Sequence, residues 1–132
     1  MELPKNESTF DIETVGDTTF KNYQGQFTVR CTLTMGQKHA MELEKSRLMG
    51  SYTNPTEELV GIAVLFANLR HKIVDGPEWW KQSTGGATIK DENVLVDIYN
   101  GIMKAEEEWR QKVKELAAPT AKASTDSQQQ SQ

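Results

Sequence analysis

An intramolecular disulfide and a paired-thiolate zinc site are excluded first, because the 132-residue chain contains a single cysteine, Cys31. One cysteine cannot form an intramolecular disulfide, and it cannot supply the paired thiolates of a structural zinc site. Histidine is equally scarce, and a metal site built on His39 and His71 would need further ligands arranged around them. We therefore expect neither a metal nor a cofactor.

Long hydrophobic runs are also missing. The longest extends from Leu59 to Ala67 and is about half of the roughly 20 residues that a helix needs to cross a bilayer. The first residues lack the apolar stretch of a secretory signal. These features predict a soluble protein that stays in the compartment where it is made and does not contact membranes.

Positive charge is in the minority, with 15 Lys and Arg residues against 19 Asp and Glu residues, a net charge of -4. The phosphate backbone of a nucleic acid attracts basic surfaces, and the arginines here are scattered along the chain. A nucleic-acid partner is therefore not expected. Hydrophobic residues make up 36% and charged residues 26%, which is typical of a globular domain and not of a disordered chain.

Alternating polarity predicts antiparallel strands in the first third of the chain. Phe10 and Ile12 alternate with polar neighbours, and the segment 27–34 places Phe27, Val29, Cys31 and Leu33 on one face. A turn is predicted at Gly16-Asp17. A hairpin is predicted at Gln24-Gly25, between a short strand at 20–23 and the strand that begins at Phe27.

Three helices are predicted to cover the apolar face of this meander, over residues 35–49, 55–70 and 91–117. Thr34 and Gln37 have the spacing of a capping box, and Gly50 is placed to end the first helix, which we expect to lie on the sheet. The second helix is apolar almost all round, which predicts the central helix of the core. The third has an amphipathic stripe from Leu95 to Leu116.

The predicted fold class is therefore α+β, a small antiparallel β-meander followed by three helices packed on one face. Residues 1–8 are predicted to be a flexible N-terminal arm, 9–118 a single domain, and 119–132 a disordered polar tail. Asn54-Pro55 has the form of a helix start, with asparagine as the N-cap. Residues 71–75 fit either a continued helix or a short strand.

No residue pattern indicates catalysis, so we expect no enzyme activity and name no catalytic residue. Cys31 lies on the apolar face of a strand, where burial explains it better than nucleophilicity. Glu106-Glu107-Glu108 point about 100° apart on a helix and cannot converge on one substrate atom. Gly85-Gly86 lacks the Lys-Ser or Lys-Thr of a phosphate loop and indicates a flexible turn.

The segment Pro77, Glu78, Trp79 and Trp80 is the predicted partner-binding site. Tryptophans are enriched in protein interfaces, and two of them in a loop next to Gly85-Gly86 are not obviously required by the core. The alternative is that the loop tucks one or both rings into its own core.

Four stretches carry a resemblance to a known family, at Gly25-Gln26-Phe27-Thr28-Val29-Arg30, Glu57-Glu58, Ile73–Trp80 and Ala105-Glu106-Glu107-Glu108-Trp109. In this order, across residues 20–115, they resemble small tailed-bacteriophage morphogenesis proteins and look most like the tail assembly chaperone group.

The resemblance implies a protein of the infected host's cytoplasm that binds other phage proteins, such as a tape-measure or tube protein. It brings no catalytic residue. It leaves open a minor structural subunit that is retained in the virion, and it leaves homo-oligomerisation open.

Overall fold

A computed structural model describes residues 2–50 and 54–130, with side chains through residue 118. Its elements follow in the order β1 (Ser8–Val15), β2 (Asn22–Val29), α1 (Met35–Met49), α2 (Glu57–Lys72), β3 (Ile73–Asp75), α3 (Glu78–Lys81) and α4 (Glu92–Gln130). The strands form one antiparallel sheet in the order β1-β2-β3. The predicted α+β class is confirmed.

The inner face of the sheet is the one that alternation predicted. Strands β1 and β2 pair from Ser8 opposite Val29 to Val15 opposite Asn22. Ile12, Phe27 and Val29 are buried in the hydrophobic core. Burial of this face fixes the register, because a shift by one residue would turn these side chains outward.

The predicted hairpin at Gln24-Gly25 is wrong, because β2 runs straight through these residues. The two strands are joined at the other predicted turn, Gly16-Asp17, which spans residues 16–21 and in which the Gly16 N–H donates to the Lys21 carbonyl at 2.8 Å. Gly25 meets a packing requirement and not a turn: a Cβ there would lie 2.6 Å from the Pro77 ring. Strand β2 also ends at Val29, earlier than the alternation to residue 34 suggested.

The termini of α1 and α2 follow from local hydrogen bonds. Thr34 and Gln37 form the predicted capping box of α1, and Gly50 closes the helix at φ 70°. The N-cap of α2 is Thr56 and not Asn54, because the Thr56 hydroxyl accepts from the backbone N–H of Leu59 at 3.1 Å. Helix α2 continues to Lys72 and β3 follows at once, so residues 71–75 divide between the two predicted alternatives.

Helix α4 packs across β1 and β2 and also contacts α2. Its predicted stripe supplies four buried residues of the core, Leu95, Ile98, Ile102 and Ala105. Further along the same stripe Trp109 is half-buried and Leu116 is exposed. The core is therefore formed between the sheet and the first half of α4, and it also includes Leu69 of α2 and Trp80 of α3.

Helix α1 does not lie on the sheet as predicted, and packs mainly against α2. None of its residues is buried, and its Leu43 is 58% exposed. Glu44 instead approaches two side chains of α2, Arg70 at 3.4 Å and His71 at 3.7 Å. The prediction failed because the apolar stripe of α1 is too weak to compete for the sheet face.

The two ends of the chain are more structured than the sequence predicted. Within the predicted arm, Asn6 bonds the backbone of Cys31 and Thr32. Helix α4 continues past Pro119 to Gln130, beyond the predicted end at residue 117, although a proline inside a helix removes an N–H and crowds the preceding turn. Residue 1 and residues 131–132 lie outside the described residues, and mobility of 1–8 and 119–132 stays a prediction.

Candidate functional site

The segment predicted to bind a partner is a short helix, α3, that packs onto the core. Trp80 is 8% exposed and meets the Phe27 ring edge-on at 5.9 Å between centroids. Trp79 is half-buried, lies edge-on to Tyr23 at 5.0 Å, and donates its indole N–H to the Gln24 carbonyl at 2.8 Å. Both rings therefore stabilise the monomer.

This placement corrects one part of the predicted site. The Trp80 ring fills the core and is not available as an anchor for a partner. Pro77 is half-buried against Gly25, and Glu78 is exposed. Contact with a partner through Pro77, Glu78 and the outer edge of Trp79 stays a prediction.

A groove between α2 and α4 has a volume of about 710 Å³. Its apolar wall is formed by side chains of both helices and of the segment before α4, namely Ile62, Val64, Leu65, Phe66, Ile89, Leu95, Val96 and Tyr99. Burial increases toward the C-terminal end of α2, where Ala67, Asn68 and Leu69 are buried, whereas Gly61 and Ile62 nearer its start are exposed.

The groove is open to solvent, since Ile62 is 41% and Val96 is 39% exposed. An open groove with mostly apolar walls is a candidate binding site. Sequence reasoning missed it because it took an all-apolar α2 to be covered on every side. The sequence does contain one indication of the groove. Val96 and Tyr99 are apolar, yet they lie beside the stripe of α4 that forms the core and not within it.

Three charged residues stand at the mouth of the groove, Glu58 on α2 and the pair Lys90 and Glu92 at the start of α4. The interior offers few polar groups to orient a small polar substrate. An apolar floor with charges at the rim is the arrangement found where an apolar side chain or helix of another protein is held.

Next to the groove, Asp91 is a fully buried carboxylate that holds the β1–β2 turn. It accepts the backbone N–H groups of Thr18 and Thr19, both at 2.8 Å, the Thr19 hydroxyl, and the Tyr23 hydroxyl at 3.1 Å. Gly16 leaves the space for it, since a Cβ there would lie 2.2 Å from the carboxyl carbon.

These hydrogen-bond donors stabilise the ionised form of Asp91. Burial alone would raise the pKa of the carboxyl group, but the hydrogen bonds from Thr19, Thr18 and Tyr23 outweigh it and lower the pKa to about 2. Burial, and then the hydrogen bond to Asp91, raise the pKa of the Tyr23 hydroxyl. Asp91 is therefore an anion that organises a turn.

Asn93 and Asp97 extend this attachment along α4. The Asn93 side chain accepts the Asp17 N–H at 3.0 Å and donates to the Val15 carbonyl at 2.9 Å. The Thr14 hydroxyl donates to Asp97 at 2.6 Å. The β1–β2 hairpin is thus fixed rigidly to the start of α4.

The other chemical groups do not assemble into a site. Cys31 is buried as predicted, and burial raises the pKa of its thiol. Glu106 pairs with the buried Lys72 and is itself half-buried. Among the side chains that the structure describes, in residues 2–50 and 54–118, no three of His, Cys, Asp or Glu are grouped as metal ligands.

Among the residues that the structure describes, no helix is both long enough and apolar enough to span a membrane.

Comparison with known proteins yields no match: no family model fits the chain, and neither a curated protein nor a solved structure is significantly similar to it.

Proposed function

We propose that this protein is a non-enzymatic assembly factor of a tailed bacteriophage, a tail assembly chaperone that binds a tail component in the cytoplasm of the infected host. The observation that supports binding most directly is the open apolar groove between α2 and α4. The phage context comes from the sequence resemblance. A tape-measure or tube protein is the client that the resemblance suggests.

The groove suits a chaperone because its aliphatic lining can accept apolar surfaces of different shapes. Ile62, Leu65 and Val96 offer aliphatic surface without polar groups that would demand one partner. A client helix can lay an apolar face along such a surface, while its flanking charges remain at the solvated rim. The exposed edge of Trp79 and Glu78 add a second contact on the α3 side of the molecule.

The binding test is co-expression with a tape-measure protein and with a tube protein of the same phage, followed by size-exclusion chromatography. We expect wild type to keep one of them soluble and to co-elute with it. Ile62→Glu with Val96→Glu should weaken the complex at least tenfold, because two carboxylates would be buried against apolar client surface. Leu43→Glu, at an exposed position of α1, is the matched control.

Two results would contradict the proposal. Full binding by the double variant would show that the groove is not the client site. Absence of a complex with either tail component would remove the chaperone function. Mass spectrometry of purified particles separates the alternative: a chaperone is absent from the mature particle, and a minor structural subunit is present in a fixed ratio.

A further inference from the structure

The turn between β1 and β2 carries a feature that the proposed function does not use. Phe20 at its tip is 78% exposed and has φ 59°, in the left-handed region. Residues other than glycine are rarely found there, and bulky residues least of all, since the Cβ crowds the following carbonyl. Asparagine or glycine would fit this position better, so a phenylalanine here sacrifices stability.

The chain holds this strained residue in place from both sides. The Phe20 N–H donates to the Gly16 carbonyl at 3.1 Å, and the turn closes between Gly16 and Lys21. Thr18 and Thr19 are tied to the buried Asp91. An exposed aromatic ring on a rigid support is preorganised for insertion into an apolar recess, because little conformational entropy remains to be lost on binding.

Such a recess exists on the same molecule. The α2–α4 groove, at about 710 Å³, has ample room for a phenyl ring. It also begins at the residues flanking the support of the turn, because Lys90 and Glu92 line it and Asp91 holds Thr18 and Thr19. The exposed aromatic ring and the groove therefore lie at the same end of α4.

From these placements we infer that the Phe20 turn of one copy seats in the α2–α4 groove of a second copy. A two-fold axis near the start of α4 lets both copies exchange Phe20 reciprocally, which is the common symmetry of homodimers. Charges at the two surfaces are complementary. Lys21 beside Phe20 meets the acidic rim formed by Glu58 and Glu92, and Asp17 meets Lys90.

The contact is small, so it is weak and reversible. A buried phenylalanine contributes roughly 150 Å² or somewhat more, and an exchange of two rings with the neighbouring Ile62 and Val96 stays below the roughly 1,200 Å² of a stable interface. We expect a dissociation constant between about 10 μM and 1 mM. A client that enters the groove would displace the second copy.

The inference shares its groove with the proposed function, and the variants separate the two. Phe20→Ser removes the ring that would insert and leaves the groove intact. Ile62→Glu, or Val96→Glu as a second choice, blocks the groove and leaves the ring. Sedimentation velocity across a concentration series should show association of wild type and at least a tenfold weaker association of each variant. Leu43→Ser should associate like wild type.

Complementation supplies the decisive measurement. Isotope-labelled Phe20→Ser is titrated with unlabelled Ile62→Glu, and its amide shifts are followed by NMR. We expect changes at the groove residues, around Leu65 and Val96, because the intact Phe20 of one variant can enter the intact groove of the other. Unlabelled protein carrying both substitutions is the control and should cause no change.

Wild type that stays monomeric throughout, or shifts absent or confined to α1 or the outer sheet face, would overturn the inference. A contact between two Phe20 rings is also excluded by the complementation, since the labelled variant has none. Client binding is scored apart from this: Phe20→Ser should still bind the tail component. Its failure to do so, with complementation intact, would count against the proposed function alone.

Discussion

Thr19 gives both its backbone N–H and its hydroxyl to the carboxylate of Asp91, across 72 residues of sequence. The N–H reaches one oxygen at 2.8 Å and the hydroxyl reaches the other. This bidentate attachment makes the geometry of the β1–β2 turn a property of the whole fold, since the turn residues alone do not determine it.

Replacement of Asp91 should destabilise the protein more than replacement of an exposed aspartate does. Asp91→Asn keeps the shape but places an amide NH₂ against donors, so at least one buried donor loses its acceptor. We expect the melting temperature to fall by roughly 5 °C or more. Asp11→Asn, at an exposed position of β1, is the control, and equal melting temperatures for the two variants would contradict the role assigned to Asp91.

The pH dependence of stability follows from the same carboxylate. The pKa of Asp91 is lowered to about 2 in the folded protein, below the value of about 3.9 in an unfolded chain. Its stabilisation is therefore fully present above about pH 4 and is lost as the pH falls from about 4 to 2. Urea unfolding at several pH values should show the difference between wild type and Asp91→Asn shrinking over this interval.

At alkaline pH the dependence has the opposite sign, because stability is lost as the pH rises. The pKa of Tyr23 is raised above 10.0 in the folded state by burial and by the Asp91 hydrogen bond. Its contribution is present below about pH 10 and is lost as the pH rises through the folded pKa. Tyr23→Phe should flatten this alkaline loss in the same unfolding series, and an unchanged alkaline limb would contradict the assignment.

Substitution of Phe20 should increase stability. Phe20→Asn relieves the left-handed strain with little lost packing, and we expect the free energy of unfolding to rise by up to about 1 kcal/mol. Phe20→Ala keeps the strain and should leave stability nearly unchanged. Denaturant unfolding measures both. A clear loss in both variants would instead mean that the ring stabilises the monomer.

The two tryptophans of α3 should differ in cost. Trp80→Ala empties part of the core and should cost roughly 3–5 kcal/mol. Trp79→Phe keeps most of the ring but loses the bond to the Gln24 carbonyl, and should cost only about 1 kcal/mol. Thermal unfolding measures both. Equal, small losses would return Trp80 to the role of a partner anchor that the sequence first suggested.

Local features of the fold were predictable because each rests on short-range chemistry. The capping box at Thr34, the stop at Gly50 and the inner face of β2 follow from spacing alone. Gly25 misled the prediction, since glycine serves both turns and close packing, and only the distant Pro77 decides between them. The left-handed turn position went to Phe20, a residue that no propensity assigns to it.

The candidate site was less predictable, since burial is a property of the assembled chain. An apolar residue in a sequence has the same character whether a neighbour covers it or not. Ile62 and Leu69 belong to one apolar helix, yet Ile62 is exposed and Leu69 is fully buried. The tryptophan pair was assigned to the surface for the same reason. The sequence near Trp79 and Trp80 does not show that the two rings pack against Tyr23 and Phe27.

The bonds that hold the β1–β2 turn span 68 to 83 residues, from Thr14 and the turn to α4. During translation the hairpin leaves the ribosome long before Asp91 has been made. The Phe20 turn is therefore unsupported in a nascent chain, and we expect it to acquire its fixed shape only when the start of α4 docks. Neighbouring chains on one polysome would then remain separate until the start of α4 has left the ribosome in each.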